Sequence, residues 1–160
     1  DINANPVSVS NYITNYGWEY VYHCHLLAHE EMDMMHAVLF AVAPTGPPSN
    51  LDAVIVGLPG SQNVSLSWDD NSNNENVFAV QRALSAGGPW TSIATVSGVS
   101  GTGSTVSYTD PTVAGATTYY FQVRAGNRVG DTTAFPLPAV GFPNKTAYTV
   151  PSNVKDVTTD

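Results

Sequence analysis

Apolar and polar positions alternate along most of this chain with a period of two, the signature of strands whose successive side chains face opposite sides of a sheet. Val64-Ser65-Leu66-Ser67-Trp68 alternates cleanly and puts Val64, Leu66 and Trp68 on one face. Residues 77–84 form a further predicted strand, with Phe78 and Val80 toward the core. Residues 90–96 follow the turn Gly87-Gly88-Pro89, and Thr105-Val106-Ser107-Tyr108 follows the Gly/Ser-rich loop 97–104. In residues 119–125, Tyr119, Phe121, Val123 and Ala125 share a face. A last strand is predicted over 145–150. Asp69-Asp70-Asn71-Ser72-Asn73-Asn74 reads as a polar turn. About seven short strands at this spacing predict an immunoglobulin-like sandwich. Trp68, Phe78, Val80, Tyr108, Tyr119, Phe121 and Val123 are its candidate core.

The first third follows another rhythm. A short strand is expected around Val7-Ser8-Val9, and an aromatic-rich strand over 18–25. In the latter, Trp18, Tyr20, Tyr22 and Cys24 fall on one face, and Val21, His23 and His25 on the other. Residues 26–35 lose the alternation and predict a helical turn or wrapped loop. Ala37-Val38-Leu39-Phe40-Ala41-Val42 is a continuous apolar run, consistent with a strand buried on both faces. Three prolines and a glycine in Pro44-Thr45-Gly46-Pro47-Pro48-Ser49-Asn50 mark a stiff linker. The expected organisation is therefore an all-β chain: a first region over 1–43, a linker over 44–50, a sandwich over 51–152 and a tail over 153–160.

Composition narrows the function classes. The chain has 160 residues, 42% of them apolar, and no stretch long and apolar enough to span a membrane. Five Lys and Arg against a net charge of −8 argue against a nucleic-acid partner. Acidic, lysine-poor, Ser/Thr/Asn/Gly-rich composition fits an extracytoplasmic (secreted, periplasmic or cell-surface) protein. One cysteine excludes a disulfide framework within the chain. No initiator Met or signal-peptide pattern opens the sequence, so a fragment lacking upstream segments is expected, with a processed N-terminus as the competing explanation. No phosphate-binding loop, dinucleotide fingerprint or nucleophile elbow is present. Asn63-Val64-Ser65 and Asn144-Lys145-Thr146 are formal glycosylation sequons to which no role is given.

The chemistry gathers in residues 23–34, His23-Cys24-His25-Leu26-Leu27-Ala28-His29-Glu30-Glu31-Met32-Asp33-Met34, which hold the only cysteine and three of the four histidines. Thiolate, imidazole and thioether are the donor set of a blue copper site, where two His and one Cys bind in a plane with a weak axial Met. Cys24, His29 and Met34 supply three of those four ligands. Zinc is an alternative, although it favours four N/S ligands and has no use for a thioether. A coincidental cluster in a core strand is another; it would leave buried imidazoles in need of polar partners. Met32 and Met35 read as packing residues, His36 as a surface or satisfied histidine, and Glu30 and Glu31 as a solvated acidic turn.

These residues resemble the C-terminal end of a laccase-like multicopper oxidase, across about the first 43 residues. The resemblance implies that Cys24, His29 and Met34 bind a type 1 copper that takes electrons from substrate. It implies that His23 and His25 each bind one copper of the type 3 pair, in the trinuclear cluster that reduces dioxygen to water. Azurin-like electron carriers share the Cys24-x4-His29-x4-Met34 part without the flanking histidines. Residues 51–152 resemble a bacterial fibronectin type III domain. The carrying features are Leu66-Ser67-Trp68, Asp70-Asn71-Ser72-Asn73-Asn74-Glu75 and Thr118-Tyr119-Tyr120-Phe121-Gln122-Val123-Arg124-Ala125. Tyr119 resembles a tyrosine-corner residue whose hydroxyl bonds backbone just upstream.

The expected fold is thus an incomplete cupredoxin-like domain followed by a fibronectin type III sandwich. The expected function is that of an oxidase portion coupling one-electron oxidation of phenols or metal ions to four-electron reduction of dioxygen. Its partners would be a small reducing substrate, dioxygen and missing upstream cupredoxin domains. The H-P-x-H-x-H and H-x-H segments that complete the family's copper sites, type 2 included, are not in this sequence. The isolated chain is therefore expected to be inactive. A blue-copper electron carrier and a fibronectin-like binding or spacer module are the alternatives.

Overall fold

The computed structural model describes residues 20–32, 34–38, 40–130 and 145–160. The expected strand around Val7-Ser8-Val9 and the positions of Trp18 and Asn144 lie outside them. Among the described residues the architecture is all-β apart from one helical turn. A two-stranded antiparallel sheet pairs β1 (Tyr20–His23) with β2 (Met35–Val38), and α1 (Leu27–Glu30) lies in their connection. Among the described residues no helix is long and apolar enough to cross a membrane.

The remaining strands are β3 (Ser49–Leu58), β4 (Ser61–Asp69), β5 (Val77–Ala83), β6 (Thr91–Ser97), β7 (Thr105–Asp110), β8 (Thr118–Val129), β9 (Lys145–Tyr148) and β10 (Lys155–Thr158). One sheet has the order β3-β4-β7. The other runs β10-β8-β5-β6, with β9 also paired to β8. All described pairings are antiparallel. Three strands facing a larger sheet in this order make an immunoglobulin-like sandwich of the fibronectin kind.

The alternation read from the sequence sets the core. Val64, Leu66 and Trp68 of β4 face Phe78 and Val80 of β5 and Phe121, Val123 and Ala125 of β8, all fully buried. Trp68 and Phe78 meet edge to face, with centroids 5.6 Å apart. Such aromatic pairs contribute roughly 0.5–1.5 kcal/mol beyond area burial. Tyr108 packs at the margin and is only partly buried.

The final strand has an interruption with a chemical cause. Pro151 has no backbone N–H to donate, so the ladder along β8 breaks between β9 and β10. Side-chain hydroxyls fill the gap. Val123 N–H donates to Ser152 Oγ at 3.0 Å, and Ala125 N–H donates to Thr149 Oγ1 at 3.2 Å. Beyond the break, β10 resumes pairing from Lys155↔Phe121 to Thr158↔Thr118. Residues 153–160, read from sequence as a tail, thus belong to the sandwich. Asn153 also ties them to the other sheet, donating to Leu51 C=O and accepting from Leu51 N–H at 3.0 and 2.9 Å.

One other expectation needs correction. The apolar run 37–42 is not a strand buried on both faces. β2 ends at Val38, and Val38, Phe40 and Val42 are exposed. Burial on both sides requires a layer on each, and among the described residues β2 pairs only with β1. The polar turn expected over 69–74 is present, with Asn71 and Asn73 exposed, and it has an inward side that its polarity did not declare. Asp70 and Ser72 are fully buried, and Ser72 N–H donates to Asp70 Oδ1 at 3.0 Å. Asp70 N–H donates to Ser104 C=O, and Gly103 N–H donates to Asp70 C=O. This turn also grips the linker. Asn71 Nδ2 donates to Pro47 C=O at 2.8 Å, Ser72 Oγ donates to Gly46 C=O at 2.5 Å, and Thr45 N–H donates to Asn74 Oδ1 at 3.3 Å.

Candidate functional site

The His/Cys/Met segment occupies the connection between β1 and β2. The ladder runs from Tyr20↔Val38 to His23↔Met35, so it closes at His23. Strand pairing expected through His25 therefore stops two residues earlier, because β2 offers no partner before Met35. Cys24, His25 and Leu26 lead into α1. This turn starts from an extended Leu26 with no side-chain cap. Its backbone bonds are His29 N–H to Leu26 C=O at 2.9 Å and Glu31 N–H to Leu27 C=O at 3.0 Å. The chain then folds back: Met34 N–H donates to His29 C=O at 3.2 Å. The helical turn or wrapped loop expected here is present, and it returns Met34 to the backbone of His29.

The structure brings the expected ligands together in part. The rings of His23 and His25 lie side by side, centroids 4.6 Å apart and tilted by 52°. His23 Nδ1 is buried and has no hydrogen-bond partner. Cys24 and His29 are half-buried, while His25 and Met34 are exposed. Among the described residues, no three His, Cys, Asp or Glu side chains converge as a metal-holding group.

The donor set fits copper in kind: a free thiol, imidazoles and a thioether are soft or borderline ligands. An orphaned buried imidazole nitrogen is what a metal ligand without its metal leaves behind. The set falls short in number, since three donors do not converge. The hairpin also carries unburied apolar side chains, with Tyr22 74%, Leu27 72% and Met32 72% exposed. A lone two-stranded hairpin is marginal in water, so such side chains gain stability by packing against a further surface.

Two clefts of the sandwich are lined by described residues. One, of about 500 Å³, is lined by Arg82, Leu84, Gly88, Pro89, Thr91 and Tyr119. Its only cation is engaged: Arg82 Nη1 donates to Asp110 Oδ2 at 2.7 Å and to Thr112 Oγ1 at 3.0 Å, and the guanidinium lies 4.8 Å from the Tyr119 ring centroid. The other, of about 260 Å³, is a polar groove beside Gln62 and Asp160.

Sequence reading missed a buried pair of acids, Asp70 and Glu75. Both are more than nine-tenths buried. Asp70 Oδ2 and both Glu75 carboxyl oxygens accept no hydrogen bond from a donor group. Burial raises the pKa of Asp70, partly offset by the Ser72 amide and by Glu75. Burial likewise raises that of Glu75, and the Asp70 charge adds to it. The signal was two acids five positions apart in a polar turn; nothing in that spacing says they are buried together.

No known family model matches the chain, and no curated protein matches it. Among solved structures, the chain is similar to "a Fn3-like protein from Clostridium thermocellum", at 26% identity over 74% of this chain and 96% of that one, with a TM-score of 0.47. The strand order described above carries the fold assignment.

Proposed function

We propose that residues 20–38 are the copper-ligating hairpin of a multicopper oxidase, and that the sandwich from Ser49 onward is a non-catalytic module joined to it. The observation that carries this reading is the pairing of imidazoles around a free thiol. His23 and His25 lie ring beside ring, with His23 Nδ1 buried and unpartnered, next to Cys24. Copper bound by these donors would supply electron transfer from a reducing substrate toward dioxygen.

The chain's own residues would contribute three things to that chemistry. Cys24 would offer a thiolate, and its peptide bonds join it directly to His23 and His25, a short bonded route between two ligand sets. The backbone bond from Met34 to His29 holds the ends of the Cys24-x4-His29-x4-Met34 loop together. Exposed Tyr22, Leu27 and Met32 would pack against the rest of a cupredoxin barrel, from which the remaining ligands would come. A location outside the cytoplasm fits the acidic, lysine-poor composition.

A separate observation favours the binding or spacer role for the sandwich. The Arg82 guanidinium that lines one of its clefts is already paired with Asp110, and a continuous apolar core joins its two sheets. This fold fixes no chemistry by itself.

The experiment is to express this chain together with its upstream reading frame, load it with copper, and record thiolate-to-copper absorption and oxygen uptake. The reading expects both signals, both lost in Cys24→Ser. It expects His23→Ala and His25→Ala to abolish oxygen uptake while keeping the blue band. A blue band with no oxygen uptake in the unsubstituted protein would instead favour an electron carrier. No copper-dependent signal at all would sink both copper readings and leave the sandwich module as the function.

A further inference from the structure

The β4–β5 turn combines two features. It buries Asp70 and Glu75 against each other, and it grips the linker ahead of β3. The two carboxyls lie within hydrogen-bonding reach of one another. If both were ionised, the three oxygens without donors would face like charge in a low-dielectric interior. An unpaired buried charge costs several kcal/mol, so such groups neutralise instead. One added proton removes the conflict, because an O–H on one carboxyl then donates to the other.

We propose that Asp70 and Glu75 share a single proton, and that this proton holds the β4–β5 turn in the shape that grips residues 45–47. The proton belongs on Glu75. Asp70 already accepts the Ser72 N–H through Oδ1, which favours charge on Asp70. Backbone amides of Glu75 and Val99 lie near the Glu75 carboxyl, but neither completes a hydrogen bond to it. With the proton on Glu75, its O–H donates to Asp70 Oδ2, and Asp70 Oδ1 stays on Ser72.

From Ser72 the connection to the linker is direct. The Asp70–Ser72 bond orients the Ser72 hydroxyl. That hydroxyl donates to Gly46 C=O and accepts from Gly46 N–H at 3.2 Å. A β-carbon at Gly46 would lie 2.4 Å from Asn71 C=O, so the linker backbone sits hard against the turn.

Among the described residues, the charged group that acts on each carboxyl is the other carboxyl. Loop 98–103 and linker residues 45–47 contain no titratable side chain. From β8 comes Arg128, whose main chain is bound at both N–H and C=O by the Asn76 side chain.

The sign of the pH effect follows. Folding raises the carboxyl pKa, so the folded state binds more protons than the unfolded one above the ordinary carboxylate range. Stability from the shared proton is fully present below the unfolded pKa and is lost as pH rises through the folded one.

The test uses the 160-residue chain and its Glu75→Gln variant, whose neutral amide can still donate to Asp70. Thermal melts between about pH 5 and about pH 8 should show the wild-type midpoint falling by roughly 5 °C or more, with a flat profile for E75Q. Amide exchange at Thr45 and Gly46, corrected for intrinsic rates, should lose protection over the same range in wild type only. Parallel profiles for the two proteins would overturn the shared proton, and unchanged linker protection would overturn the grip. Should E75Q fail to fold, carboxyl carbon NMR of the wild type decides, since Glu75 must titrate above about 4.3, its unperturbed value. Calcium chloride and EDTA are the control. Equal melts support the proton, whereas a calcium-dependent rise absent from E75Q overturns it in favour of a cation.

Discussion

The Tyr119 hydroxyl accepts a hydrogen bond from the Ala114 backbone N–H at 2.9 Å, joining the start of β8 to the chain five residues earlier. The Tyr119 ring is buried, and the Arg82 guanidinium covers it. This is the tyrosine corner that the resemblance to fibronectin type III domains implied. Tyr119→Phe keeps the ring and removes the acceptor. It should cost about 1 kcal/mol, seen as a lower denaturation midpoint with an unchanged denaturant slope. A wild-type midpoint would mean that the bond contributes nothing.

Arg82 and Asp110 form a partly buried ion pair in the sandwich, with side chains 21% and 1% exposed. Arg82→Met strands a carboxylate that keeps only the Thr112 N–H and hydroxyl as donors. The loss should be about 3 kcal/mol in urea unfolding. Asp110→Asn in the Arg82→Met background should recover part of it, because the uncompensated charge is gone. Additive losses in the double variant would show that the two residues act independently.

Lys155 Nζ lies 3.0 Å from Asp52 Oδ1 at an exposed position where β10 meets β3. The hydrogen bond from Lys155 holds the Asp52 carboxyl below its usual pKa, with the Ala53 amide adding to it. The sign is opposite to that of the buried pair: this stability is present above the unfolded carboxylate pKa and is lost as pH falls through the folded one. Both groups are solvated, so Asp52→Asn should lower the midpoint only slightly, and the difference should vanish near 1 M salt. A difference that persists at high salt would point to a role beyond the ion pair.

Ending the chain at Ser152 removes β10 and everything its residues hold. Thr159 Oγ1 donates to Ala114 C=O at 2.5 Å, Thr159 N–H donates to Thr117 C=O at 3.0 Å, and Asn153 no longer bridges to Leu51. The truncated protein should lose roughly 3 kcal/mol or more, a large part of an ordinary domain's stability. Unchanged thermal unfolding would restore the reading of 153–160 as a tail.

The core of the sandwich was legible because alternation is a local property. Val64, Leu66 and Trp68 declare one face, and Tyr119, Phe121, Val123 and Ala125 declare another, with no knowledge of what they face. β10 was not legible. Lys155-Asp156-Val157-Thr158 is polar and short, and it becomes a strand because the edge of β8 beyond Pro151 still offers N–H and C=O groups. In the hairpin, the spacing of His23, Cys24, His25, His29 and Met34 specified a set of donors and their likeness to a family. It could not specify how far those donors converge, since that depends on the elements packed around them.

The sequence by itself determined the all-β pattern, the inward residues of the central strands and the identity of the candidate copper donors. Each is written in residue type and a period of two. The tertiary structure alone decided that Asp70, Ser72 and Glu75 of a polar run are buried, that the linker is gripped and that the last residues close a sheet. Those outcomes depend on the hydrogen-bond partners that distant strands bring to one place, and distant partners leave no mark on local spacing.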